Sequence, residues 1–432
     1  MNESMLKHVT IDGVRLHLNT KQQDLWINGY WKLNVNNTTN TILSILIDTY
    51  YDTEKPNVFK TAVDRIIDKF KISRSEAEQD LNVLIGIINS FSRNEVPANL
   101  IGVTTVKKQI SAPTRMDLAL TYRCNNRCGH CYLKENKSEK ELTTEEWFDI
   151  LDKLWGIGVS QVVFTGGEVF LRDDLMDLLE HSKEFVTGII SNGTLIDEET
   201  AFDLKYTDLD WVQITLESSQ KSIHDEMQGR KGAYDETIKG IKNCIKAGLN
   251  VSINATLTKK NKDDIFNLID LAKRLKVPTV STNAIINSGR GVLAKHDIGV
   301  TEAQLQELLI RAKKYAEERD IKFNWFLPTC YKNLDPIKLG FGQRNCSAFN
   351  VNMMIQPDGT VIPCQSWTHE NLGSFIRTKW EDIWNSRLAN KIRAHEFADK
   401  ECFDCEYFEK CGGGCPLNSI NKSSCSGCGG CS

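Results

Sequence analysis

Fourteen cysteines fall in this 432-residue chain, and their distribution limits its fold more than any other feature. None precedes residue 124, three lie between 124 and 131, Cys244 stands alone, and ten fall between 330 and 431. From about residue 326 the sequence breaks into short segments rich in Cys and Gly. Apolar burial alone will not hold such a stretch together, so metal ligation is expected to supply the missing stability. A disulfide framework is the other way to use many cysteines. It is disfavoured here, because Met1 to His8 carries no apolar signal-peptide core and a reducing cytosol keeps thiols free. A cytoplasmic chain with metal-binding thiols is the expectation. No apolar stretch approaches membrane-spanning length. The 53 Lys plus Arg and 57 Asp plus Glu are interspersed without a polybasic tract, which argues against nucleic acid and membrane as partners.

The length suits two or three domains. Residues 1–95 read as one unit. His8 to Ile11, Val14 to Leu18 and Asp24 to Asn28 alternate with period two, with Asp12-Gly13 as a hairpin turn. Helical faces follow: Ile42, Ile45, Leu46 and Tyr50, then Phe59, Val63, Ile66, Ile67 and Phe70. Ser73 with Glu76 predicts a capping box opening a third helix, which carries Leu81, Leu84, Ile85 and Ile88. Three strands and three helices make a winged-helix-like α+β plan. Residues 96–113, with Pro97, Gly102 and Pro113, read as a linker.

Strands and helices alternate over 114–325. Strands are expected at Met116 to Tyr122, Gln161 to Phe164, Gly188 to Ser191, Trp211 to Leu216 and Val251 to Leu257. Helices are expected from Thr143, capped with Glu146, and from Leu171 to Phe185. Repeated βα units predict an α/β parallel sheet, here a partial barrel, with chemistry at the C-terminal strand ends. Cys244, between Ile241 and Ile245, reads as a small buried hydrophobe.

Cys124-Asn-Asn-Arg-Cys128-Gly-His-Cys131 follows the first of these strands. Three thiolates on a short loop hold a four-iron cluster with one iron left open, and an open position is what makes a bound metal reactive. Zinc is the alternative, with His130 as the nearby fourth ligand. This motif resembles the signature of the radical S-adenosylmethionine (SAM) superfamily. The resemblance implies a partial (β/α)6 barrel, a 4Fe–4S cluster on Cys124, Cys128 and Cys131, and SAM on the open iron. One-electron cleavage of SAM then gives a 5′-deoxyadenosyl radical that abstracts a substrate hydrogen.

Further stretches resemble the family's SAM-binding loops. Gly166-Gly167-Glu168 follows the second strand; the resemblance implies glycines that admit the SAM amino group and a Glu that accepts from it. Val169 stands where the family has Pro. Ser191-Asn192-Gly193 and Thr215-Leu216-Glu217 resemble the next two loops, near ribose and carboxylate. Arg290, between Gly289 and Gly291, is a candidate for the SAM carboxylate. His224-Asp225 and Gly229 resemble a family stretch that usually has Arg where this chain has Gln228, and its role stays open. Turns and loops are the plain alternative for each.

Cys346, then Cys364 after a Pro357-Asp358-Gly359 turn, then Cys402-x2-Cys405-x5-Cys411-x3-Cys415, resembles the SPASM domain, a twin-cluster extension. It spans residues 326–432. The resemblance implies two auxiliary 4Fe–4S clusters, making three in all. Cys346, Cys364 and Cys415 would hold the inner one, with Cys330 as fourth ligand or an open site. Cys402, Cys405 and Cys411 would hold the outer one, with Cys425, Cys428 or Cys431. A zinc ribbon is the alternative for the outer group.

Residues 1–95 resemble the leader-peptide recognition element fused to peptide-maturing radical SAM enzymes, similar to the small chaperone of pyrroloquinoline quinone synthesis. That implies a precursor peptide as partner, its leader adding as a strand to an edge within residues 24–36, and an electron donor such as flavodoxin or ferredoxin. The expected function is a maturase forming a thioether, a carbon–carbon cross-link or a related bond in a ribosomally made peptide. The alternatives are a tetrapyrrole side-chain enzyme, a sulfatase-maturase type of protein modifier, and a non-catalytic iron–sulfur carrier.

Overall fold

A computed structural model describes residues 6–11, 14–27, 31–93, 95, 110–135 and 140–420. The Asp12-Gly13 turn, most of the 96–113 linker and Cys425, Cys428 and Cys431 lie outside these residues.

The N-terminal unit is a four-stranded antiparallel meander: β1 (Leu6–Ile11), β2 (Val14–Asn19), β3 (Asp24–Ile27) and β4 (Trp31–Asn34). The sequence reading stops one strand short. β4 alternates as the others do, with Leu33 and Val35 buried and Lys32 and Asn34 exposed, an alternation the sequence reading overlooked. Three helices follow: α1 (Asn37–Asp52), α2 (Val58–Phe70) and α3 (Arg74–Ser92), the last opened by the expected Ser73–Glu76 capping box. α1 is sandwiched. Its Leu43 and Ile47 pack on the sheet, and its Ile42 and Leu46 pack on α2 and α3.

A nine-stranded sheet forms the core, built in sequence order from β5 (Arg115–Thr121), β6 (Gln161–Gly166), β7 (Val186–Ser191), β8 (Trp211–Thr215), β9 (Val251–Leu257), β10 (Thr279–Ala284) and β11 (Lys322–Trp325). All of these pair in parallel, as βα alternation requires. Covering helices include α4 (Thr144–Ile157), α5 (Leu175–His181), α6 (Glu198–Tyr206), α7 (Lys221–Gln228), α8 (Ala233–Lys246), α9 (Ile265–Arg274), α10 (Gly291–Ile298) and α11 (Glu302–Glu317). The expected helix over 171–185 is shorter. A 3-10 turn at Val169–Leu171 precedes α5, and Arg172 between them is extended, its guanidinium on Asp174 and on the Leu142 carbonyl.

The cysteine-rich segment joins this sheet. β12 (Asn352–Ile355) runs parallel to β5, and β13 (Val361–Ile362) returns antiparallel through the Pro357-Asp358-Gly359 turn, where Gly359 has φ 84°. The sheet is therefore open: among the described residues no pairing joins β11 to β13. Cys244 is wholly buried in α8 within the main core.

The N-terminal sheet docks at the N-terminal ends of β6 to β8. Asn19 donates to the Gly158 carbonyl and, at 2.9 Å, to Ser160 Oγ. Ser160 Oγ donates to the buried Asp24 carboxylate, which Lys32 also faces at 3.2 Å. Arg15 faces the buried Asp210 at 3.5 Å. These contacts lie at the opposite end of the strands from the cavity described next.

Candidate active site

The C-terminal ends of the strands surround a cavity of about 290 Å³. Cys124, Cys128 and Cys131 form part of its wall, together with Gly166, Gly167, Ser191, Asn192, Thr215, Glu217 and Arg290. Glu168, His224, Asp225 and Gly229, also singled out in the sequence, lie outside the lining.

The cysteine loop is clamped by backbone from three directions. From β6, the Gly167 N–H donates to the Thr121 carbonyl at 2.7 Å and the Glu168 N–H to the Arg123 carbonyl at 2.9 Å. From α7, the Gln228 carbonyl accepts the Arg127 N–H at 2.9 Å. From the turn after β10, the Gly291 N–H donates to the Cys131 carbonyl at 3.0 Å. The two glycines before Glu168 serve this clamp. A Cβ at Gly166, whose φ is 137°, would overlap the Thr121 carbonyl oxygen, and one at Gly167 would overlap that of Arg123. The backbone they admit is that of the cysteine loop, whereas the sequence reading assigned the room to SAM.

Glu168 is wholly buried behind the cavity wall. Its Oε1 accepts from Ser191 Oγ at 2.8 Å and its Oε2 from the Asn192 N–H at 2.8 Å. Burial pushes its carboxyl upward, and these donors oppose the shift. Glu168 thus braces the next strand end. Arg290 behaves likewise. Its Nε donates to the Cys128 carbonyl at 2.9 Å and its Nη1 to the Lys134 carbonyl at 3.2 Å, so the guanidinium expected on the SAM carboxylate holds the cysteine loop.

Burial pushes the Cys124 thiol up to about 11 and the Cys128 and Cys131 thiols upward as well. Backbone N–H groups point at two of the sulfurs: Asn126 toward Cys124 and Leu133 toward Cys131, each at 3.4 Å. Buried sulfurs that meet N–H donors favour a bound metal to carry their charge. Among the described residues, no three His, Cys, Asp or Glu side chains are placed to hold a single metal ion. A four-iron cluster instead places each thiolate on its own iron, and three thiolates leave the fourth iron open.

Three buried polar atoms on the cavity wall have no hydrogen-bond partner: Glu217 Oε1, Gln228 Nε2 and Asn254 Oδ1. Glu217 Oε1 lies 3.0 Å from His130 Nε2 without hydrogen-bond alignment, while its Oε2 accepts the Thr256 N–H at 2.7 Å. Asn254 Nδ2 donates to Asn283 Oδ1 at 2.9 Å, forming an amide row across β9 and β10. Unpaired buried donors and acceptors call for a polar ligand, and SAM, with a carboxylate, an ammonium, hydroxyls and an adenine, fits that set. Gln213, Asn254 and Asn283 were not read as site residues, and inward alternation along β8 to β10 was the available signal. Gln228, noted in the sequence only as standing where the family usually has Arg, also lines the cavity.

The C-terminal thiols form two further groups. Cys346, Cys364 and Cys415 are partly buried within electrostatic reach of one another, and desolvation pushes Cys346 up to about 12. Gln365, next to Cys364, lines the cavity, so this group abuts the site. Cys402, Cys405 and Cys411 form the second group. Cys330 packs near both the first group and Glu302: its N–H donates to Glu302 at 3.0 Å, and its backbone neighbours Gly414.

Comparisons agree with this geometry. The family model of the radical SAM superfamily matches residues 118–282, and that of the SPASM iron–sulfur cluster-binding domain matches residues 346–406. The chain belongs to the radical SAM superfamily. It is an enzyme of the SAM and 4Fe–4S type, with an added iron–sulfur cluster-binding domain. The Fe-coproporphyrin III synthase of Methanosarcina barkeri is 29% identical over 352 residues, covering 74% of this chain and 86% of that one. The antilisterial bacteriocin subtilosin biosynthesis protein AlbA of Bacillus subtilis is 26% identical over 440 residues, covering 98% and 93%. The crystal structure of Streptococcus suis SuiB bound to precursor peptide SuiA superposes with a TM-score of 0.65 at 19% identity, covering 97% and 96%, which shows a shared fold. Among the described residues no helix is long and apolar enough to cross a membrane.

Proposed function

We propose that this radical SAM enzyme is a peptide maturase that modifies a ribosomally made precursor. The observation that carries this reading is the extent of its likeness to AlbA, which reaches 98% of the chain and so includes the N-terminal sheet. When bound, SAM and its cluster supply the one-electron cleavage that yields a 5′-deoxyadenosyl radical. The protein's own residues orient and enclose that chemistry. Cys124, Cys128 and Cys131 hold the cluster on a loop clamped by β6, α7 and the turn after β10. Ser191, Asn192, Thr215 and Glu217 line the ligand cavity, and Glu168 sets Ser191 and Asn192. The division runs 1–95 for leader recognition, 96–113 as linker, 114–325 as catalytic core and 326–432 for two auxiliary clusters. The inner cluster takes Cys346, Cys364 and Cys415, with Cys330 as fourth ligand or an open site. The outer takes Cys402, Cys405 and Cys411 with one of Cys425, Cys428 and Cys431. Flavodoxin or ferredoxin is the proposed electron donor.

The leader edge is β4. Val35 donates to the Gln23 carbonyl, which sets the pairing of residues 23 and 35 as hydrogen-bonded. Alternation then turns the backbone groups of Lys32 and Asn34 outward. Asn34→Pro removes one outward N–H. With SAM, dithionite and a candidate precursor peptide, the wild-type enzyme is expected to give a mass-shifted peptide. The variant should lose that shift at least tenfold while still cleaving SAM. Equal peptide modification by both proteins rejects the leader reading.

A second reading has support in the 29% identity to Fe-coproporphyrin III synthase, a tetrapyrrole enzyme by name. Coproporphyrin-dependent consumption of SAM, with no response to peptide, would decide for it.

A further inference from the structure

The wall of the cavity is of two kinds. One is polar and carries the groups already read as fitting SAM. The other is apolar: Ile285 and Ile286 line it from the turn after β10, and Phe326 and Leu327 from the turn after β11. Phe326 is 48% exposed although it lines the cavity, so its ring stands at the mouth, in reach of solvent. Other large apolar side chains are exposed among the described residues, Tyr51, Tyr206, Leu293 and Phe403 for example, but Phe326 is the one on this wall.

The backbone that carries this ring is fixed on both sides. The Phe326 N–H donates to the Thr282 carbonyl at 3.0 Å. Trp325 before it is fully buried; its Nε1 donates to the Leu327 carbonyl at 3.0 Å, and its carbonyl accepts Arg344 Nε at 2.6 Å. A half-exposed ring contributes little to the fold. Held rigid at the mouth of a cavity, it offers a partner a large contact area at small entropic cost.

Gln365 supplies a polar counterpart from the cysteine-rich segment. It lines the same cavity, is partly exposed, and its carboxamide has no hydrogen-bond partner among the described residues. A carboxamide offers a donor and an acceptor side by side, which matches the C=O and N–H of a peptide backbone. A tetrapyrrole would call for cations to meet its carboxylates. The basic residues on this wall are His130 and Arg290, and Arg290 has its Nε and Nη1 on the Cys128 and Lys134 carbonyls. We propose that this mouth seats the precursor peptide at its reacting residue. Phe326 packs on a large apolar or aromatic side chain flanking the residue that is modified, and so selects it, while Gln365 pairs with the peptide backbone. The inference deepens the maturase reading and rests on it.

The test uses anaerobically reconstituted full-length enzyme with SAM, dithionite and a candidate precursor peptide whose modified residue is mapped by mass spectrometry. Phe326→Ala should raise the peptide KM roughly tenfold, the scale of one lost aromatic contact. Its SAM Kd, read from the EPR spectrum of the reduced cluster, should change far less. Phe326→Leu should recover most of the loss, because bulk is what the contact needs. Replacing the flanking apolar residue of the peptide by Ala should cost the wild type about as much, and cost Phe326→Ala little more, since both changes remove one contact. Gln365→Met keeps the length without the amide and should raise KM roughly threefold to tenfold. A wild-type KM in Phe326→Ala overturns the inference, and so do enzyme and peptide losses that simply multiply. A SAM Kd weakened as much as KM also overturns it, by placing the ring on the cofactor. A wild-type enzyme that consumes SAM in response to coproporphyrin III and leaves peptide unmodified removes the maturase reading itself, and this inference with it.

Discussion

The two cysteine regions of this enzyme use opposite kinds of scaffold. The first group, Cys124 to Cys131, sits on a loop at the end of β5, and the strands beneath it bury Met116, Leu118, Val162, Phe164 and Ile189 almost completely. Backbone hydrogen bonds from the end of β6, from α7 and from the start of α10 position the loop. The C-terminal groups have little regular structure around them. Beyond the β12–β13 hairpin, the elements there are helices of seven residues or fewer. Gly412, Gly413 and Gly414 follow Cys411 with φ of 61°, 80° and 79°, a chain path bent around thiols rather than built on a ladder. One region is held by the strand ends around it, while the other is expected to lean on metal ligation for its rigidity.

Removing a cysteine proposed to hold the inner auxiliary cluster is the strongest way to break this contrast. Cys364→Ala should lower bound iron by about four per chain and expose residues 330–420 to protease, since metal ligation is worth on the order of 10 kcal/mol in small metal-held folds. The radical SAM core of the same variant should still bind SAM. Limited proteolysis with mass mapping reads both outcomes, and a variant that resists protease like wild type contradicts the comparison.

A smaller effect is expected from damage to the clamp on the first loop. Gly166→Ala forces a Cβ into the Thr121 carbonyl at a φ of 137°. The cost should be about 3–4 kcal/mol, seen as a lower unfolding midpoint of the core and a lower yield of SAM-binding cluster. A midpoint unchanged from wild type would remove the clamp from the account of this loop.

The smallest effect sharpens the contrast through pH. In the iron-free protein, burial raises the Cys124 thiol to about 11 and the Cys346 thiol to about 12, above the 9.0 of an unperturbed thiol. Between pH 9 and 11 the folded chain then holds protons that the unfolded chain has released. Stability should be fully present below pH 9 and decline above it, by about 1–2 kcal/mol for Cys124. Thermal unfolding of the apoprotein at pH 8 and pH 10.5 measures the decline, and Cys124→Ala should reduce it. With iron bound the thiols are already deprotonated, so the loaded enzyme should lack this slope.

Much of the fold was legible because its signals are local. Period-two runs such as Val251 to Leu257 and capping pairs such as Thr143 with Glu146 declare their structure within a few residues. β4 was overlooked although residues 31–35 alternate as 24–28 do. The 171–185 helix was overdrawn because an apolar period does not reveal the Arg172–Asp174 pair that interrupts it. In the site, Cys124, Cys128 and Cys131 were readable because their spacing on one loop is itself the chemistry.

The amino-acid order by itself determined which thiols travel together, where the βα units begin and which loops end at the cavity, since each depends on neighbours close along the chain. Tertiary structure alone decided what those residues do there. Glu168 braces Ser191 and Asn192 from 23 and 24 positions away, Gln228 reaches Cys128 across 100, and Asn19 meets Ser160 across 141. A hydrogen bond between such distant partners exists only once the sheet has brought them within about 3 Å, and no local pattern of residues encodes that meeting.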